Sequence, residues 1–221
     1  MTTARRRFET DVGRDFDDGP PVRVLSDPPP VVTPPAPTGV PSTGSGAPPA
    51  SVLVPLLVGA AVAVALGAYG RMHQPTGIAV NVAGFSSPQA VKVWLGTGAA
   101  LFAVVQLLSA LAMWGRLGGF SPSWAGGLHR WSGRVAFLLT VPVAVHCLYA
   151  LGFADYDLRT LLHSLLGCLF FGVFTMKMLA LPKRGLAGWV LPVVGGLVFT
   201  VLMGIWVTSS LWYFTTFGVG T

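Results

Sequence analysis

Five long apolar runs follow residue 50 and restrict the folds that this chain can adopt. They cover about residues 52–69, 91–114, 131–151, 161–181 and 189–213. A helix that crosses a membrane needs about 20 mostly apolar residues, and each run supplies roughly that length. A membrane β-barrel would need strands of alternating polarity, which these continuous runs lack. The sequence therefore predicts an all-α membrane protein, with about five transmembrane helices forming a helical bundle.

Charge is too scarce for a water-soluble domain. Charged residues make up 10% of the chain and hydrophobic residues 52%, whereas soluble domains carry about 25% charged residues. The formal net charge is +6, but no basic face with interleaved aromatic residues is visible, so nucleic acid is excluded as a partner. The partner expected from composition is the lipid bilayer.

The segment before the apolar runs has a different composition. Residues 1–50 are first charged and then rich in proline, as in Pro28-Pro29-Pro30. Such a segment buries too little apolar surface to offset the entropy lost on ordering. We predict a disordered Pro-rich cytoplasmic tail over residues 1–50 and a transmembrane helical domain over residues 51–221.

The distribution of Lys and Arg predicts the orientation, because cytoplasmic loops carry an excess of these residues. The tail has five arginines, and the second and fourth connections of the bundle add Arg116, Arg130, Lys183 and Arg184. The other side carries Arg71, Lys92 and Arg159. We expect a multi-pass protein of the plasma (inner) membrane with a cytoplasmic N-terminus and an outside C-terminus.

Two histidines in neighbouring runs fall at the same predicted depth. The midpoint between His146 and His163 lies in the short turn that joins the third and fourth helices, so both should sit roughly 8 Å below the outer surface. Ionisable residues in a membrane span are costly and point to function. Two neutral imidazoles at one depth suit the two axial positions of a b-type haem iron.

A glycine follows two of the histidines by one helical turn. His163 and Gly167 lie in HSLLG, and His129 and Gly133 lie in HRWSG. Because positions i and i+4 share a helix face, each glycine would leave room for a flat macrocycle. Arg159 and Lys92 lie towards the outer surface, where they could pair with the propionates of a haem.

The other two histidines offer further ligands. Adjacent helices in close contact lie about 8–10 Å apart, so a haem between the third and fourth helices requires them to splay, or a ligand such as His73 from elsewhere. His129 lies near the inner side and would suit a second haem with a methionine partner, Met113, Met176 or Met178. Its alternative is a residue at the membrane interface. We expect one haem b, with a second left open.

Short motifs in the chain resemble known families. HRWSGR, VHC and HSLLGC resemble transmembrane b-type cytochromes of the cytochrome b561 and ferric-reductase kind, which hold haem with histidines inside a four-helix core. The region from HQPTG to LAGWVLPV looks closer to an uncharacterised actinobacterial membrane-protein family. The second and fifth helices lack histidine, which departs from the pattern of two haems.

Three functional hypotheses follow. The first is a membrane-embedded b-type cytochrome-like electron-transfer subunit, working with a redox partner protein or membrane complex subunits rather than as a stand-alone enzyme. The second is a non-redox membrane protein, such as a small transporter or a scaffold subunit, in which the histidines only join helices. The third is copper handling by Met72, His73 and the inner methionines.

Overall fold

The computed structural model describes residues 49–79, 81 and 84–219. These residues belong to one compact unit, Thr43–Thr221. The predicted tail of residues 1–50 lies almost entirely outside the described residues. Within the described ranges all regular structure is helical.

Five long apolar helical spans are present, as the sequence predicts. The helices are α1 (Pro49–Met72), α2 (Pro88–Met113), α3 (Ala125–Val145), α4 (Leu158–Ala180), α5 (Val190–Trp206) and α6 (Trp212–Phe217). A π-helical segment, His146–Leu151, extends α3, and a second one, Val207–Leu211, joins α5 to α6. The fifth span therefore runs without a break over Val190–Phe217.

Two helices begin about one turn before the apolar runs that predict them, because polar residues cap their first turns. Ser87 precedes Pro88 and accepts a hydrogen bond from the Ala90 amide at 3.2 Å. Asp157 accepts a hydrogen bond from the Thr160 amide at 2.9 Å. Such caps satisfy amide groups that have no partner within the helix.

The packing of the bundle does not follow the order of the chain. Helices pack closely in the pairs α2/α3, α1/α4, α4/α5 and α2/α5, whereas α3 and α4, adjacent in sequence, are not among the closely packed pairs of described elements. In mid-bundle the two are joined by aromatic rings, where Phe137 stacks on Phe174 with centroids 4.2 Å apart. The third and fourth helices therefore meet through these side chains rather than through close backbone approach.

The outside of the bundle is apolar, as a lipid-facing surface should be. Large side chains such as Val64, Leu101 and Leu138 are 64–70% exposed. Small residues allow close approach inside, since a Cβ built on Gly59 or on Gly172 would lie 2.5 Å from the carbonyl oxygen of the other. Close contact through small residues is typical of helix packing in membranes.

Candidate functional site

A cavity of about 560 Å³ lies inside the bundle. It is at the end where α2 and α4 begin and where α3 and the fifth span finish, which we call the cavity end; the other is the far end. Side chains from all five spans line it. Its volume falls within the range of about 300–1,000 Å³ that is usual for small-molecule and cofactor sites.

His163 lines this cavity and is the only one of the four histidines to do so. Its position is set by α4 and by the π-helical part of the fifth span, because its Nδ1 lies 3.2 Å from the Thr208 hydroxyl. Thr208 also lines the cavity. The imidazole is thus held through one of its two nitrogens.

Gly167 leaves open space beside His163. It lines the cavity, and a Cβ built on it would meet no atom within 4 Å. The matching Gly133 is different, since a Cβ there would lie 3.0–3.1 Å from the Gln106 side chain. Of the two histidine–glycine motifs, only the one in α4 therefore has room for a ligand.

Two cationic side chains line the cavity. Arg159 and Lys92 both line it, and none of the described Asp and Glu residues does. Lys92 makes no hydrogen bond or ion pair to any other described residue. An uncompensated lysine within a membrane span is costly, so an anionic group of a ligand would find a favourable partner there.

Arg159 is held more firmly than Lys92. Its guanidinium donates to the Thr208 carbonyl at 2.9 Å and to the Thr160 hydroxyl at 3.1 Å, and it lies 3.8 Å from the centroid of the Trp212 ring. Asp157 is also 3.8 Å away, across the first turn of α4. Arginine has five N–H donors in a fixed fork, so donors remain for a ligand.

Both π-helical segments border the cavity. Cys147 and Leu148 line it from the end of α3, and Thr208 and Ser209 line it from the fifth span. Short π-helical turns within α-helices occur frequently at functional sites. Two walls of this one cavity therefore carry π-helical turns.

His146 is not brought together with His163 at this cavity. It begins the π-helical extension of α3, and the cavity is lined instead by its neighbours Val143, Ala144, Cys147 and Leu148. Counting residues from the turn predicts the same depth for His146 and His163. It does not predict the direction of the side chain, which changes by about 100° around the helix axis with each residue. Joint ligation by the two histidines stays a prediction, and it would require α3 to turn at its π-helical end.

His73 lies in the connection after α1 and packs away from the cavity. Its ring is stacked between Tyr69 and Tyr149, with centroids 5.0 and 5.2 Å away, and its Nε2 is 3.2 Å from the Tyr149 carbonyl. Thr76 donates to the same carbonyl at 3.2 Å. These contacts attach the connection to the end of α3.

His129 lies towards the far end and joins α3 to α2. Its Nδ1 is 3.1 Å from the Ser109 hydroxyl and 3.1 Å from the Gln106 carbonyl. The Gln106 side-chain amide donates in turn to the His129 carbonyl and to the Ser132 hydroxyl. The amide of Gln106 thus occupies the space beside Gly133 that the sequence analysis predicted to be free for a macrocycle.

No cluster of three or more His, Cys, Asp or Glu residues suited to a metal ion occurs in the described ranges. Met72, one of the residues of the copper hypothesis, is 81% exposed. The two cysteines are free thiols that both line the cavity.

Thr208 and Trp212 were not predicted as site residues. They lie four positions apart in the fifth apolar run, where a threonine and a tryptophan look like ordinary parts of a span. Their spacing places them on one helix face, but only the packing of the fifth span against α4 shows that this face meets His163 and Arg159.

These features define a multi-pass helical membrane protein with a ligand-sized cavity at one end of its bundle. The chain belongs to the family of unknown function DUF6529, whose sequence model matches residues 52–221. No curated protein and no solved structure matches the chain. The prediction of an uncharacterised membrane-protein family is confirmed to that extent.

Proposed function

We propose that this protein is a membrane-embedded, b-type cytochrome-like electron-transfer subunit that binds haem b in the cavity beside His163. The observation that carries the proposal is the combination of a histidine and an open glycine one turn apart on the cavity wall. The resemblance of HSLLGC and HRWSGR to transmembrane b-type cytochromes supports it. The haem would supply the redox chemistry, and the protein would orient it and tune its potential.

The residues of the cavity fit such a group. His163 would hold the iron, and Gly167 leaves the adjoining helix face free for the ring. Lys92 and Arg159 are placed to receive carboxylates, while Phe170, Phe171 and Trp206 supply apolar walls. His146 stays the predicted second ligand, and a second haem at His129 stays open.

The proposal includes a cellular location and an orientation in the membrane. The excess of Lys and Arg in the tail and at the far end supports a plasma (inner) membrane location with a cytoplasmic N-terminus. The cavity end would then face outwards, and electrons would pass to or from a redox partner protein or other subunits of a membrane complex. The high Gly, Ala, Val and Pro content supports the actinobacterial origin.

The test is an absorption spectrum of the purified full-length protein, oxidised and reduced, after expression with ample haem. We expect a Soret band and a reduced alpha band in the wild type and in Gly195→Leu. Gly195 is the matched control, because it has open space like Gly167 but does not line the cavity. Gly167→Leu should lose the haem while keeping the melting temperature of Gly195→Leu.

Two results would overturn the proposal. A Gly167→Leu protein with full haem content would show that the cavity is not the haem site. A wild-type protein without any Soret absorbance would favour the second hypothesis, a non-redox membrane protein such as a small transporter or a scaffold subunit. In that case Lys92, which lacks an anionic partner, would still favour an anionic ligand for the cavity.

A further inference from the structure

We infer that Thr208 is a positioning residue that fixes the tautomer of His163, with the proton on Nδ1 and the lone pair of Nε2 left free. This inference rests on the proposed function, because the fixed tautomer would serve the ligation of haem. Its geometry and its principal test do not depend on haem. It concerns a residue of the fifth span that the sequence did not predict as part of the site.

The hydroxyl of Thr208 has a single proton, and its contacts show where that proton goes. Its oxygen lies 2.8 Å from the Gly204 carbonyl, 3.1 Å from the Ile205 carbonyl and 3.2 Å from Nδ1 of His163. A carbonyl oxygen can only accept, and a threonine in a helix commonly donates to the carbonyl four residues earlier. The hydroxyl of Thr208 therefore donates its proton within the fifth span, to the Gly204 carbonyl.

The contact with His163 must then run in the opposite direction. With its proton committed to Gly204, the Thr208 oxygen can only accept from the imidazole, so Nδ1 carries the hydrogen. A neutral imidazole has one protonated nitrogen, and Nε2 is left with a free lone pair. His163 lines the cavity, so this nitrogen is the one available to a ligand.

The backbone around Thr208 is held in place from the other side. Arg159 donates to the Thr208 carbonyl at 2.9 Å and packs on the ring of Trp212. Thr208 belongs to the π-helical segment Val207–Leu211. Arg159 thus ties this segment to α4, the helix that carries His163, and keeps the hydroxyl and the imidazole in register.

A fixed tautomer matters for metal ligation, because only an unprotonated nitrogen can bind iron. Ligating histidines almost always donate their other N–H to a neighbouring acceptor, and loss of that acceptor typically costs about 10–100-fold in metal affinity. Thr208 would be this acceptor for His163. The Ile205 backbone also interacts with the imidazole, so removal of the Thr208 hydroxyl should weaken the preference for one tautomer, and part of the protein would then present an N–H to the cavity.

The first test uses the haem-free protein and ¹⁵N NMR of labelled histidine at alkaline pH, where the imidazole is neutral. The His163 signals are assigned by their loss in His163→Ala. We expect wild type and Thr208→Ser to show a protonated Nδ1 and an unprotonated Nε2. Thr208→Val should show a mixture of tautomers.

Thr175→Val is the matched control. Thr175 makes the same bond to a carbonyl four residues earlier, Phe171 at 2.8 Å, but it neither contacts a histidine nor lines the cavity. Its substitution should leave the His163 signals unchanged. A Thr208→Val protein that retains only the Nδ1-protonated form of His163 would overturn the inference.

The second test is haem titration of the same variants. We expect the affinity to fall about 10–100-fold in Thr208→Val and to return in Thr208→Ser. If the variants show the expected tautomers but the protein binds no haem, the proposed function is overturned and the role of Thr208 stands. If the protein binds haem but Thr208→Val leaves the tautomer of His163 unchanged, the role of Thr208 is overturned and the proposed function stands.

Discussion

The same histidine–glycine spacing has different surroundings in α3 and in α4 because of a single neighbouring side chain. The His129 and His163 motifs both place a glycine four residues after the histidine. A phenylalanine follows each glycine by four more residues, and these two, Phe137 and Phe171, contact each other with centroids 6.0 Å apart. Beside Gly133 the Gln106 amide fills the space, whereas beside Gly167 the space is open. A repeat read from sequence cannot distinguish these two environments, because Gln106 belongs to another helix.

The first prediction concerns His129. We expect His129→Ala to leave the haem content unchanged, because the His129 ring lies away from the cavity and bonds to Ser109 and Gln106. Stability should fall modestly, since hydrogen bonds between membrane helices are worth about 0.6 kcal/mol on average. Absorbance per protein and thermal unfolding in detergent measure the two effects. Loss of half the haem from a two-haem preparation would instead establish His129 as a ligand.

At the scale of helices, the lengths of the apolar runs were sufficient to predict the five spans. Length and hydropathy are local properties of the chain, and so is the depth of a residue below a turn. The direction of a side chain around the helix axis depends on which helices become neighbours, which a single sequence does not show. This explains why the sequence could predict one depth for His146 and His163 but did not distinguish His146 from its neighbour Cys147, which lines the cavity with His163.

The second prediction concerns the start of α4. Hydrogen bonds from the hydroxyl and the amide of Thr160, at 2.7 and 2.9 Å, lower the pKa of Asp157 below its usual value. A lowered folded-state pKa gives a stabilising contribution that is complete above the unfolded pKa of about 3.9. That contribution is lost as the pH falls through the lowered folded pKa.

Asp157→Asn isolates this contribution, because asparagine also caps helices but does not titrate. We expect the melting temperature of the wild type to fall more steeply on acidification below about pH 4 than that of the variant. Thermal unfolding in detergent across this range provides the measurement. If the melting temperatures of the two proteins fall equally steeply on acidification, the pH dependence comes from other groups, such as the exposed Asp155–Arg71 pair.

The third prediction concerns the crossing of α1 and α4. A side chain at Gly172 would meet the Gly59 carbonyl at 2.5 Å and the Ala63 Cβ at 2.9 Å, so the two helices would have to separate. We expect Gly172→Leu to destabilise the protein by about 1–3 kcal/mol, the usual cost of overpacking. Gly196→Leu, at a site with nothing within 4 Å, should have little effect. Equal melting temperatures for the two variants would contradict this close packing.

At the scale of the whole molecule, the order of helix packing creates the cavity. Since α3 packs on α2 and α4 packs on α1 and α5, the helices joined by the shortest of the connections between the described spans are not closely packed, and side chains from both line the cavity. The sequence could show that a haem between them would need room, but not which helices pack against each other. The distribution of positive charge between the cavity end and the far end is the basis of the proposed orientation.

The last prediction tests that orientation directly. Tyr156 is 80% exposed in the turn between α3 and α4 at the cavity end, and Lys183 is exposed between α4 and α5 at the far end. In intact cells, a membrane-impermeant maleimide should label Tyr156→Cys, whereas Lys183→Cys should react only after the cells are permeabilised. The wild type measures the background from Cys147 and Cys168, which line the cavity. The opposite labelling pattern would place the cavity on the cytoplasmic side and exclude an electron partner on the outer face.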